Sequence, residues 1–265
     1  MKSVFILVPS PYSAYSVAVL EGLRRQGVFI AGVGLRRLIN PGRVIGEFRR
    51  DRQRLVRKVI DRLILRQRTY TQESSSGKGV GGYLSVQGIK YESVRKWCTR
   101  HNVALLCCKE FNEAWFVQQV GDLAPDAIIF TGGGIIRQQL LDLAPLGVLN
   151  AHSGILPEYR GMDVPEWAIF CRDFDKVGVT IHVMDRGVDT GPILNRFYVP
   201  LQHGDTIGTI RRRIEYTLPL AMVQTTLKYL NNEIAPEPQK ASDGRQYFIM
   251  HRWLKSRVEQ NLASL

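Results

Sequence analysis

Residues 2–33 read KSVFILVPSPYSAYSVAVLEGLRRQGVFIAGV, and their pattern indicates the class of fold. Its largely apolar start, residues 2–8, is typical of a strand that is covered on both faces. Apolar residues then recur at helical spacing over residues 15–25, and Gly27 is placed to end that helix. A second apolar run fills residues 28–33. Strand, helix and strand in this order predict a parallel sheet with right-handed crossovers.

The same alternation of strands and helices continues along the chain. Short apolar runs predict further strands over 103–108, 126–130, 147–150, 178–184 and 192–199, with helices between the earlier ones and a long helix over 206–230. We therefore predict an α/β fold, a Rossmann-like, mostly parallel sheet with helices on both faces. Residues 1–230 are expected to form this domain, and residues 231–265 a short C-terminal extension.

One segment carries most of the positive charge. The 265 residues have a formal net charge of +12, and residues 36–68 hold twelve basic and three acidic residues, a net charge of +9. An apolar stripe at helical spacing predicts an inserted basic amphipathic helix over 36–68, followed by a flexible link at 72–82 (QESSSGKGVGG).

Three interpretations of the basic insertion stay open. It packs on the domain with solvated arginines, it attracts an anionic ligand or an acidic membrane surface, or it forms a homodimer or partner interface. Aromatic residues are almost absent from it, which argues against stacking on single-stranded nucleic acid. We expect no nucleic-acid partner.

Composition also limits the class of protein. No apolar run approaches the roughly 18–20 residues of a membrane span, and the first apolar run is too short for a signal peptide. A cytoplasmic location is therefore expected. The four cysteines lack zinc-ligand spacing, so no metal site is expected. The glycine-rich spots complete neither a Walker motif nor G-x-G-x-x-G after the first strand.

Three polar residues fall where a parallel sheet binds ligands. Asn150 and His152 end a predicted strand, and residues two apart in a strand point to the same side. An amide and an imidazole at one spot could stabilise an oxyanion and move a proton. Asp189 lies in a turn signal and could orient the imidazole. These residue types suit acyl transfer to an amine, although Asn-x-His at a strand end is also common as a turn or a satisfied polar pair.

A longer composite motif surrounds these residues. It reads NAHSGILPEYRG at 150–161, PEWAI at 165–169, GVTIHVMD at 178–185 and RGVDTGPI at 186–193. The motif resembles the formyltransferase family, whose members include glycinamide ribonucleotide, methionyl-tRNA and amino-sugar formyltransferases. The resemblance is close over 150–193 and looser over 1–199. Within it we interpret His182 as a core or face histidine and Asp185 as a possible turn cap.

The resemblance implies a donor, a mechanism and a donor site. Asn150, His152 and Asp189 match the family's catalytic residues, and 10-formyltetrahydrofolate is the implied formyl donor. Asn150 and a protonated His152 would stabilise the oxyanion, while Asp189 would act through an ordered water. The pterin would be held mainly by backbone groups of two loops, which contain Gly134, Ile135 and Ile136 in the first and Met184, Asp185, Val188 and Asp189 in the second.

Departures from the family pattern narrow the range of expected acceptors. Gly154 stands where the family usually has serine, and residues 8–12 (VPSPY) replace the phosphate-binding glycine loop of the purine-pathway enzyme. The residues after 231 are too few for the C-terminal domain of methionyl-tRNA formyltransferases. We expect a small amine acceptor, a nucleotide-linked amino sugar. A formyltetrahydrofolate hydrolase and a non-catalytic scaffold that retains the fold are the alternatives.

Overall fold

The computed structural model describes residues 2–37 and 78–265. Most of the predicted basic helix therefore lies outside the described residues, which include only Arg36 and Arg37 of it. Residues 72–77 of the predicted link also lie outside them. The strands are β1 Ser3–Val8, β2 Phe29–Arg36, β3 Leu105–Cys108, β4 Ala127–Phe130, β5 Val148–His152, β6 Tyr159–Gly161, β7 Gly178–Val183, β8 Ile193–Tyr198 and β9 Arg245–Tyr247. The helices are α1 Ala14–Arg25, α2 Val80–Val86, α3 Val94–His101, α4 Ala114–Asp122, α5 Gln138–Leu141, α6 Val164–Phe170, α7 Ile207–Leu230 and α8 Arg252–Ala263.

Seven strands form the central sheet in the order β3-β2-β1-β4-β5-β7-β8. The first five are parallel, whereas β7 pairs antiparallel with β5 and β8 antiparallel with β7. The predicted α/β class and mostly parallel sheet are therefore confirmed. Because β7 runs back along β5, side chains on these two strands face each other directly across one ladder.

The two faces of the sheet carry separate cores. Along β1, Val4, Ile6 and Val8 contribute to one buried cluster, whereas Phe5 and Leu7 contribute to the other. This alternation follows from the two-residue period of a strand. Helices α1, α3 and α7 cover the first face, and α4 and α5 cover the second. A strand that is covered on both faces explains why β1 appears in the sequence as a continuous apolar run.

Two boundaries differ from the sequence-based prediction. The flexible link was predicted to reach residue 82, but helix α2 begins at Val80, and Val80, Tyr83 and Leu84 are buried. Burial of these apolar side chains offsets the conformational entropy lost by the glycines around them. Arg36 was assigned to the basic insertion, but it ends β2, where its guanidinium pairs with Glu110 at 2.7 Å.

Residues 231–265 are integrated with the domain. Strand β9 pairs in parallel with β6, and α8 packs on α6. The buried amide of Asn261 donates to the carbonyls of Ile169 and Phe170, at 3.0 and 3.2 Å, near the C-terminal end of α6. Within residues 2–37 and 78–265, no helix is long and apolar enough to cross a bilayer.

We expect Asn261→Ala to lower the free energy of unfolding by about 1–3 kcal/mol, because the Ile169 and Phe170 carbonyls lose the donor that the buried Asn261 side chain supplies. Urea denaturation of both proteins measures this. The exposed neighbour Gln260 provides the control, since Gln260→Ala should change stability by less than about 0.5 kcal/mol. Equal effects of the two substitutions would contradict the assigned role of Asn261.

Candidate active site

The pairing of β5 with β7 brings two of the side chains together. Asn150 lies opposite His182 in the ladder, and its Nδ2 is 3.1 Å from His182 Nε2. His182 Nδ1 is 3.1 Å from the Val183 carbonyl oxygen, which can only accept, so Nδ1 carries the proton. In the neutral ring, Nε2 is then free to accept from the Asn150 amide. His182 is 2% exposed, but it belongs to the site, not merely to the core or to a strand face.

The Asp189 carboxylate joins three segments of the chain. Its Oδ2 accepts from the Gly161 backbone N–H at 2.9 Å and lies 3.3 Å from His152 Nδ1. Its Oδ1 lies 3.5 Å from His182 Nε2. Asp189 has a φ of +54°, a left-handed conformation that non-glycine residues rarely adopt. The loop after β7 thus points this carboxylate at two imidazoles, and the structure brings the three predicted catalytic residues together.

Asp189 is strongly acidic in this setting. Burial by itself raises the pKa of Asp189, but the close contact with His182, the positive charge that His152 carries when protonated and the Gly161 N–H together lower it to about 2. The carboxylate therefore stays ionised even at pH values well below neutral. It supplies a fixed negative charge inside a largely buried site.

His152 is buried and faces acceptors with both ring nitrogens. Nε2 lies 2.8 Å from the Tyr159 carbonyl oxygen and therefore carries a proton, and Nδ1 faces Asp189. Burial lowers the pKa of His152, and the Asp189 carboxylate opposes this only in part. His152 can accept a second proton at Nδ1, where the Asp189 carboxylate stabilises the positive charge. Because burial lowers its pKa, the ring also releases that proton readily. The resemblance implied a water between the two residues, whereas here they are in direct contact.

The loop after β5 holds His152 in place and explains the unusual Gly154. The Thr180 hydroxyl donates to the Gly154 carbonyl at 2.7 Å and accepts from the Leu156 N–H at 3.1 Å. A Cβ atom at position 154 would lie 2.5 Å from Val164 Cγ2 and 2.8 Å from His152 Nε2. No side chain fits there without displacing His152, so glycine suits this loop where the family usually has serine.

The two loops predicted to hold the donor follow β4 and β7. Arg186 of the second loop donates a hydrogen bond to Gln138, which begins α5 just after the first loop, and the Asn112 side chain bonds the backbone of Ile135 and Arg137 at 2.8 Å each. Arg36 donates to the Gly133 carbonyl at 2.6 Å and fixes the glycine run. The first loop is thus held by side chains from β2 and from the segment before α4.

The side chains of these loops divide into two kinds. Ile135 is 82% exposed and Val188 46% exposed, so both offer apolar surface, whereas Ile136 is buried. Asp185 accepts from the Gly187 N–H at 3.0 Å and from the Thr190 hydroxyl at 2.7 Å, which closes its own loop. Exposed apolar side chains beside exposed backbone fit a flat heterocycle. The individual donor-binding assignments stay a prediction.

A cavity of about 330 Å³ opens beside the site. Ser153, which follows His152, and Gly161, which binds Asp189, form one side of it, and Ile214 and Leu218 of α7 contribute apolar surface. Asp163 and Arg211 on its wall are paired at 2.8 Å. The cavity offers both apolar and charged surface next to the buried imidazole.

Sequence reasoning missed two further residues that support Asp189. The Gly161 N–H binds its carboxylate, and the side chain of Gln239 donates to its backbone carbonyl at 3.0 Å. Gly161 and His182 both lie inside the composite motif, which could have suggested a role for them. No sequence signal identifies Gln239, which is fifty positions from Asp189.

Comparison with known proteins gives distant but consistent relatives. The methionyl-tRNA formyltransferase of Pelobacter propionicus is 32% identical over 151 residues, which cover 56% of this chain and 47% of that protein. The chain thus spans about half the length of the curated relatives it matches.

Solved structures share the fold at low sequence identity. A sugar N-formyltransferase from Shewanella sp. has a TM-score of 0.59 at 13% identity, over 99% of this chain and 88% of that one. An N-formyltransferase from Helicobacter canadensis, in complex with folinic acid and dTDP-3-aminofucose, has a TM-score of 0.57 at 12% identity, over 100% and 81%. The model of the formyl transferase family matches residues 94–226, which is half of the chain. The chain therefore belongs to the formyl transferase family.

Proposed function

We propose that this protein transfers a formyl group from 10-formyltetrahydrofolate to a primary amine of a small acceptor, a nucleotide-linked amino sugar. The observation that carries the proposal is the shared Asp189 carboxylate, which contacts His152 and His182 at the ends of β5 and β7. Family membership supports the reaction type, and the site supplies an amide, an imidazole and a carboxylate in one place. Formyl transfer needs such groups around the reacting carbon.

Two observations support a folate donor. The Helicobacter canadensis protein with the same fold is in complex with folinic acid, a formylated folate. In this chain, Ile135 and Val188 provide exposed apolar surface on the two predicted loops, and Val188 directly precedes Asp189. The bound donor would supply the formyl group, and the loops would orient it towards Asn150 and His152.

Asn150 is the group that would stabilise developing negative charge. Its carboxamide has two N–H donors, and one of them meets His182 Nε2 at 3.1 Å. The other would donate to the formyl oxygen as that oxygen gains negative charge. Because His182 fixes the plane of the amide, this donor is held in position before the reaction.

The pair of His152 and Asp189 would move the proton. As the amine nitrogen bonds to the formyl carbon, the pair takes up the proton that the amine loses. The negative charge of Asp189 stabilises the protonated ring, and burial, which lowers the pKa of His152, favours release of the proton. The proton goes to the folate nitrogen as its bond to the formyl carbon breaks. In this account His152 is neutral at the start, which differs from the protonated ring implied by the resemblance.

The cavity beside Ser153 and Gly161 is the proposed entry for the acceptor. Apolar side chains and the Asp163–Arg211 pair on its wall suit a ligand with both ring carbons and hydroxyl groups. The amino-sugar ligand dTDP-3-aminofucose in the Helicobacter canadensis structure supports this acceptor class. The cytoplasmic location is part of the same proposal.

Methionyl-tRNA is the second candidate acceptor, because the curated relatives in the 30% identity range are methionyl-tRNA formyltransferases. Parallel assays with dTDP-amino sugars and with methionyl-tRNA decide between the two. Release of formate without any acceptor would identify a hydrolase, and no turnover with any acceptor would favour the scaffold. Formylation of an amino sugar alone is the result that the proposal requires.

We expect Asn150→Ala to lower kcat about 10²–10³-fold, because the formyl oxygen loses its positioned donor. Product formation measured by mass spectrometry gives the rate. Asn231→Ala is the matched control, since Asn231 is an exposed residue at the end of α7 whose side chain donates to Glu233 at 3.0 Å. A rate within threefold of wild type for Asn150→Ala would rule out this role.

The pH dependence should report His152. Because burial lowers the pKa of His152, the acidic limb of kcat/KM for the donor, at saturating acceptor, should lie below the ordinary histidine value of about 6.5. Asp189→Asn removes the charge that raises the pKa of His152, so it should move the limb to still lower pH and decrease kcat. A limb that moves upward, or does not move, would contradict the proposed pair.

A further inference from the structure

We propose that Gln239, in the C-terminal segment, is a positioning residue that holds the backbone of Asp189 and so places its carboxylate. This inference rests on the proposed function. The Gln239 side chain donates from Nε2 to the Asp189 carbonyl at 3.0 Å and to the Gly191 carbonyl at 2.6 Å. The two carbonyls flank Thr190, so one amide group holds both ends of a three-residue turn.

Arg160 sets the orientation of the Gln239 amide. Its Nη2 lies 2.9 Å from Gln239 Oε1 and 2.7 Å from the Lys240 carbonyl, and Arg160 is only 3% exposed. A guanidinium can only donate, so the amide oxygen faces Arg160 and the amide nitrogen faces the two carbonyls. Each side chain in this chain of hydrogen bonds therefore has one consistent orientation.

The segment that carries Gln239 is itself anchored on the sheet. Glu237 and Ile193 exchange both backbone hydrogen bonds, at 2.7 and 2.8 Å, and the Glu237 carboxylate pairs with Arg196 of β8 at 2.8 Å. Gln239 thus acts from a fixed backbone next to the strand that follows the Asp189 loop. The backbone of Gln239 is therefore held in place independently of the Asp189 loop.

Asp189 needs such support because of its backbone conformation. Its left-handed φ of +54° is unfavourable for a residue with a side chain, and this conformation points the carboxylate at His152 and the Gly161 N–H. Without Gln239, the turn can relax and the carboxylate can move away from His152. The titratable groups that act on His152 are Asp189 and His182, so a more distant Asp189 leaves the ring with less support for a positive charge.

The test compares two substitutions at Gln239. Gln239→Met keeps the length of the side chain and removes all three hydrogen bonds. Gln239→Glu keeps an acceptor for Arg160 but turns a carboxylate oxygen towards the two carbonyls. We expect both variants to lower kcat about tenfold to hundredfold. The KM for 10-formyltetrahydrofolate should change less than threefold. Gln246→Met, at an exposed position of β9, is the control and should behave as wild type.

A second readout separates positioning from a purely structural role. Titration of the His152 ring by NMR, in the substrate-free protein, should give a lower pKa in Gln239→Met than in wild type, since the Asp189 charge that raises it has moved away. Loss of stability alone would lower the fraction of folded protein without shifting this pKa in the folded molecules.

Three results would overturn the inference. They are kcat within threefold of wild type in Gln239→Met, an unchanged pKa of His152 in that variant, and full activity of Gln239→Glu. If wild type itself forms no product with any acceptor, the proposed function fails, whereas the NMR titration still decides whether Gln239 places Asp189.

Discussion

The carboxylate of Asp189 is the interaction on which the whole site depends. It accepts from the Gly161 N–H and lies next to His152 and His182, so it joins the loop after β7 to β5, β6 and β7. A buried carboxylate is costly unless hydrogen bonds and opposite charge compensate for it. Here they do, because the pKa of Asp189 falls to about 2 despite burial. The negative charge that would stabilise a protonated His152 is thus a stable part of the folded protein.

The sheet explains why these groups meet. Parallel strands end at one edge, where α/β folds bind ligands, and β5 brings Asn150 and His152 to that edge. The antiparallel β7 then returns along β5 and sets His182 opposite Asn150. A register irregularity follows between Ile181 and His182 in the pairing with β8. Such irregularities are common beside functional sites, where they change the direction of a side chain.

Much of this arrangement could be predicted from the sequence, for identifiable reasons. Apolar runs and helical spacing are local signals, and they predicted the α/β class and most strands. Residues two apart in a strand share a side, which predicted that Asn150 and His152 act together. The composite motif placed Asp189 with them.

Other features depend on contacts between distant residues. The part played by His182 follows from the register of β5 against β7, and a single sequence does not specify that register. Gln239 lies fifty residues after Asp189 in the chain, and no local sequence pattern marks it as a partner of Asp189. Helix α2 was missed because its glycines signal a loop, whereas burial of Tyr83 and Leu84 against neighbouring helices decides its structure. In each case tertiary packing, not local preference, determined the outcome.

Calorimetric titration of the wild-type protein with 5-formyltetrahydrofolate would show whether the loops after β4 and β7 bind a formylated folate. We predict saturable binding of one folate per chain, with a dissociation constant on the order of micromolar. We also expect Ile135→Asp combined with Val188→Asp to abolish the binding signal while the protein stays folded. No binding to the wild-type protein, or equal binding to both proteins, would contradict a folate site formed by these two loops.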